Sequence, residues 1–158
     1  MWLERTAGGG VGVWAWRNRP RHKPSVFISY RRKVSWATAL KIHDMLTARG
    51  ADVFMDVQDL REGRYAQKLE EEVRSREYFV LLIAPGTLES EWVIKEAQMA
   101  IDAGKNIIPV LTDGFDLYKN QGEIPTELKD LSSHNAVTLS LEYFEAGIDR
   151  LAEFIGLK

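Results

Sequence analysis

Tyr78-Phe79-Val80-Leu81-Leu82-Ile83-Ala84 decides the fold: seven residues without a charge, closed by Pro85-Gly86. A strand with one wet face alternates apolar and polar residues. One apolar throughout is buried on both faces, as in the middle of a parallel sheet covered by helices. Working outward, Ser25-Val26-Phe27-Ile28-Ser29-Tyr30 is β-branched and aromatic and opens the ordered body. Residues 35–49 have helical spacing, with Trp36, Leu40, Ile42, Met45 and Leu46 on an apolar side, and Gly50 stops that helix. Asp52–Met55 reads as a second strand, 56–64 as a polar loop, and 65–76 as a charged helix. Ser90 is a natural N-cap for a helix running to about Ala103, with Gly104 beyond it.

Asn106–Leu111 reads as a fourth strand, and Pro109 within it predicts a place near an edge or a bulge. A loop over 112–125, a short helix over 126–132, a strand over 136–139 and a closing helix over 141–156 complete the chain. Five strands alternating with helices predict an α/β fold, a flavodoxin-like five-stranded parallel sheet with helices on both faces.

The chain has 158 residues, enough for one domain with a sizeable core. There is no cysteine, which excludes disulfides, a thiol nucleophile and thiolate-held metal. No apolar run reaches the ~20 residues of a spanning helix, so no membrane partner is expected. The net charge of −2 exerts no general pull on nucleic acid, and none is expected as a partner. The charge is uneven. Residues 1–24 hold Arg5, Arg17, Arg19, Arg21 and Lys23 against Glu4, a net +4, and so read as a flexible basic arm. Gly10-x-Gly12-x-x-Ala15 fits a dinucleotide fingerprint only on paper, because no strand leads into it.

In such sheets ligands sit beyond the carboxyl ends of the strands. Three segments of unusual chemistry lie there. Arg31-Arg32 follows the first strand, and guanidinium groups there can meet phosphate; a solvated pair is the simpler reading. Asp56 ends the second strand, but the basic residues after the first strand do not suit a magnesium-dependent phosphoacceptor. Trp92 and Glu96, at i and i+4, share one helix face. An indole offers a stacking surface and a carboxylate can stabilise developing positive charge. On spacing alone, a core tryptophan beside a solvated glutamate is the simpler reading. His22, His43 and His134 lack metal-ligand spacing, and no metal site is expected.

Val26-Phe-Ile-Ser-Tyr-Arg-Arg32, Val53-Phe-Met-Asp56 with Leu60 and Gly63, Phe79–Gly86, Ser90-Glu-Trp-Val-Ile-Lys-Glu96 and Gly104–Val110 together resemble the TIR (Toll/interleukin-1 receptor/resistance) domain family, in family order. The resemblance covers residues 25–158 as one TIR domain after the arm. It is nearest the NAD-cleaving branch, which includes the animal axon-degeneration NAD hydrolase and bacterial defence TIR proteins. It implies an NAD+ glycohydrolase that breaks the nicotinamide–ribose bond, with Glu96 catalytic. It implies substrate contacts from Arg31, Arg32, Trp92, Tyr65, Asp56, Gly63, Ser29 and Tyr30. NAD+ is then a substrate and no cofactor is called for. The resemblance further implies cytoplasmic location, a role in immune defence or cell-death signalling, and activation by self-assembly into a homo-oligomer or filament with other TIR domains. The loop Asp56–Arg64 would stand at that interface. Arg61 departs from the family's acidic residue and Tyr65 from its phenylalanine. A non-catalytic TIR adaptor, acting through TIR–TIR association alone, is the alternative.

Overall fold

The computed structural model describes residues 22–57 and 64–157. Five strands alternate with helices: β1 (Ser25–Ser29), α1 (Arg32–Ala48), β2 (Asp52–Met55), α2 (Arg64–Ser75), β3 (Tyr78–Ile83), α3 (Glu91–Asp102), β4 (Asn106–Leu111), β5 (Val137–Thr138) and α4 (Phe144–Phe154). One-turn and two-turn 3-10 segments fill Thr87–Glu89, Gln121–Glu123 and Thr126–Ser133. All strand pairs are parallel, in the order β2-β1-β3-β4-β5. This is the doubly wound, flavodoxin-like order.

The period of two along each strand splits the core into two layers. Val26, Ile28, Val80, Leu82, Ile108 and Val110 face α1 and α4. Phe27, Phe79, Leu81, Ile83 and Ile107 face α2, α3 and the segment Thr126–Ser133. β3 has covered neighbours on both sides and both faces, which is why it carries no polar residue.

Two expectations need correction, and a third is met only locally. The buried stripe of α1 is Ser35, Ala39, Ile42 and Leu46, whereas Trp36 is 58% and Leu40 42% exposed. Each of the two follows a buried residue by one position, about 100° round the helix. Ser35 also has non-helical angles (φ −132°, ψ 20°), so the first turn is offset from the rest. The closing helix is shorter than its periodicity suggests, starting at Phe144, and Leu141 and Tyr143 are exposed. Pro109 sits in β4, which has a strand on either side. Even so, β5 pairs only with Val110 and Leu111, so β3 alone flanks Pro109. The proline is tolerated at this local edge.

α4 meets β5 at Gly147. A Cβ there would collide with Leu139 Cδ2 and stand 3.1 Å from the Thr138 carbonyl oxygen. Alanine gains up to ~1 kcal/mol of helix propensity, but overpacking costs about 1–3 kcal/mol. Gly147→Ala is therefore expected to lower unfolding stability in a urea titration. An unchanged or raised midpoint would show that α4 shifts freely on β5.

Candidate active site at the carboxyl edge of the sheet

The carboxyl ends of β1, β2 and β3 bring the singled-out residues that the structure describes to one edge of the sheet. Ser29 and Tyr30 leave β1 buried, 1% and 5% exposed. Ser29 Oγ has no hydrogen-bond partner among the described residues. By strand alternation it faces the layer under α2 and α3, as Phe27 does.

Asp56 directly follows β2 and is 6% exposed. It gathers the neighbouring elements. The Tyr30 hydroxyl donates to its carbonyl oxygen, and the Tyr65 hydroxyl donates to its Oδ1 at 2.8 Å. The end of β1, the end of β2 and the first turn of α2 are thereby joined across the loop. Gly63, singled out in the sequence, lies outside the described residues, as do residues 1–21 and 58–62.

After β3 the chain turns at Gly86, whose φ of +90° favours glycine. Thr87 is fully buried, and its hydroxyl accepts from the Ala84 N–H at 2.9 Å. Sequence reading passed over Thr87; its signal was a threonine after a Pro-Gly turn, where a hydroxyl can bond nearby backbone. Ser90 then caps α3 as expected, its Oγ accepting from the Val93 N–H at 3.3 Å.

On α3, Trp92 is half-buried and packs against the core. Lys95 Nζ stands 5.9 Å from its ring centroid. Glu96 is not the solvated glutamate that spacing allowed: it is 3% exposed, among Val93, Ala97 and Ala100. Burying a carboxylate is costly, and buried carboxylates at the mouth of an α/β sheet are candidates for function. A carboxylate so placed can face developing positive charge without competition from bulk water.

The arginine pair divides. Arg31 Nη1 donates to the Gly86 carbonyl at 2.6 Å and to Glu89 Oε2 at 3.2 Å. Arg32 is exposed and lines a groove of about 270 Å³ with Tyr30, Trp36, Leu40, Met55 and Val57. No group of three metal-ligating side chains occurs among the described residues. His22 meets Glu77, His43 meets Asp44, and His134 faces the Ile107 carbonyl. None of the described helices is long and apolar enough to cross a membrane.

A family model described as TIR domain matches residues 26–152. Among curated proteins, the chain is 35% identical over 142 residues to NAD(+) hydrolase SARM1 of Danio rerio, covering 84% of this chain and 19% of that protein. It is 30% identical over 138 residues to NAD(+) hydrolase tir-1 of Caenorhabditis elegans, covering 82% of this chain and 14% of that one. The chain thus spans less than a fifth of the length of these relatives. Among solved structures, the TIR domains of the activated Roq1 resistosome superpose with a TM-score of 0.71 at 16% identity, over 84% of this chain and 99% of that one.

Proposed function

The chain belongs to the TIR domain family, and from that premise we propose that it is an NAD+ glycohydrolase. The observation that carries the reading is the buried Glu96 carboxylate one helical turn from Trp92, at the carboxyl edge of the sheet. The names of the two relatives support NAD+ as the substrate.

The chemistry suits these residues. The nicotinamide of NAD+ is already cationic, so it leaves as a neutral base and no general acid has to protonate it. The C–N bond breaks with its electron pair going to nicotinamide, and the ribose acquires oxocarbenium character. Glu96 stabilises that charge and holds ribose hydroxyls. Trp92 and Tyr65 offer rings for stacking, and Arg32 a guanidinium for the pyrophosphate. Ser29, Tyr30, Asp56 and Gly63 complete the substrate contacts. Water adding to the anomeric carbon, with loss of a proton, gives ADP-ribose. Attack by a nucleophile of the same molecule gives a cyclic isomer. NAD+ enters as substrate, and neither metal nor separate cofactor is required.

Activation by self-assembly is part of the proposal, with the loop Asp56–Arg64 at the interface between copies. Trp36 and Leu40 stand exposed in one groove with Val57, the second residue of that loop, and support association. The same apolar exposure favours the second reading, a TIR adaptor without turnover. The proposed setting is cytoplasmic, in immune defence or cell-death signalling.

The test is nicotinamide release from NAD+ at high protein concentration with a crowding agent, followed by chromatography of the second product. Release that rises more steeply than protein concentration supports an assembly-activated NADase, and the second peak names hydrolase or cyclase. No release from folded protein whose assembly is verified by light scattering would leave the adaptor.

A further inference from the structure

We propose that Arg31 is a positioning residue: its guanidinium locks the turn that launches α3, and so fixes where Trp92 and Glu96 stand. The inference deepens the NAD+ glycohydrolase reading and rests on it for its kinetic arm.

Both ends of Arg31 are held. Its backbone carbonyl accepts from the N–H groups of Val34 and Ser35, at 3.0 and 2.9 Å, which starts α1. Its side chain crosses 55 positions of sequence to the β3–α3 turn. There Nη1 donates at 2.6 Å to the Gly86 carbonyl, a charge-assisted bond to a neutral acceptor. The second contact, to Glu89, is the lesser one, since that carboxylate is 78% exposed.

Gly86 is where such a contact has leverage. A Cβ on Gly86 would stand 3.7 Å from Arg31 Nη1 and 3.9 Å from Val34 Cγ2, so the guanidinium rests against the bare backbone. The same Gly86 carbonyl accepts from the Glu89 N–H at 3.3 Å. The Ser90 N–H donates to the Thr87 carbonyl at 3.1 Å, and Ser90 Oγ caps α3 at Val93. These hydrogen bonds lie on adjoining residues and tie the Arg31 contact to the first turn of α3. Glu96 lies within two turns of that cap. A guanidinium spent in this way is directed at the protein's own backbone, whereas Arg32, its neighbour in sequence, faces the open groove.

Two measurements on the full chain test this: steady-state NAD+ cleavage under assembling conditions, and amide hydrogen exchange of residues 87–93. For Arg31→Ala, kcat is expected to fall roughly 10²-fold, the effect of a reacting group displaced by about 1 Å. KM stays within about threefold, and the Glu89, Ser90 and Val93 amides exchange at least about tenfold faster. Arg31→Lys restores part of both, because an ammonium can still donate to the Gly86 carbonyl. Arg32→Ala leaves the exchange of these amides unchanged.

A KM raised about tenfold or more at unchanged kcat, with unchanged exchange, would overturn the proposal and make Arg31 a ligand contact. Should Arg31→Ala fail to fold, Arg31→Lys decides by the same two readouts. Should the wild type not cleave NAD+, the activity reading fails on its own. Exchange then decides alone: faster exchange in the variant supports the lock, and unchanged exchange overturns it.

Discussion

Glu96→Gln is expected to lower kcat for nicotinamide release by about 10²-fold or more, with KM changed only severalfold. Glutamine keeps the volume and most of the hydrogen-bonding shape of glutamate and removes the charge. Glu96 is 3% exposed, so its charge acts where water screens it little. A hundredfold loss is about 2.7 kcal/mol of transition-state stabilisation, which is within reach of one well-placed anion facing an oxocarbenium-like ribose. The loss belongs to kcat because the positive charge appears on the ribose only as the bond breaks; the bound substrate carries its charge on the nicotinamide ring. The fold should not suffer. Glutamine fills the same volume at this buried position, so the thermal midpoint is expected to hold. Single-turnover and steady-state assays beside a melting curve check both halves. A Gln variant within about threefold of wild type would remove Glu96 from the chemistry.

The strands were readable because burial on two faces leaves a local mark. β3 and β4 are apolar runs of the right length, and their bounds fall within one residue of the observed ones. The helix ends were readable where one residue sets the cap. Ser90 does so through its hydroxyl, and Gly50 and Gly104 through positive φ, +101° and +67°. The stripe of α1 was not readable, because a Trp or Leu next to a small buried residue reads as core in a one-dimensional pattern. Ser35 and Ala39 face the sheet instead, and Trp36 and Leu40 turn outward. The sequence names candidate site residues but not their geometry. Trp92 and Glu96 could be placed on one helix face, yet their i, i+4 spacing does not say which way that face points. The division of Arg31 from Arg32 was hidden for a similar reason. It depends on Gly86 and Glu89, more than fifty positions away, and on a turn whose conformation only the folded chain defines.

Phe27→Ala is expected to destabilise the fold by about 3–5 kcal/mol, a large share of the 5–15 kcal/mol that holds a domain of this size. Phe27 is fully buried and is the middle of three rings lying across adjacent strands in register: Phe54 on β2, Phe27 on β1 and Phe79 on β3. The centroids are 5.3 Å apart at 29° between planes on one side, and 5.4 Å apart at 6° on the other. Each stack adds to area burial by about 0.5–1.5 kcal/mol, so truncation removes two stacks and opens a cavity at once. The row also underlies the layer against which α2 and α3 pack, and those helices carry Tyr65, Trp92 and Glu96. The midpoint should fall by roughly 10–20 °C, with residual activity following the folded fraction as temperature is varied. That coupling separates this variant from Glu96→Gln, whose activity is lost at temperatures where the chain is fully folded. A Phe27→Ala protein that melts within about 3 °C of wild type would mean that the neighbouring rings close the gap, and that the aromatic row is not what supports the α2–α3 layer.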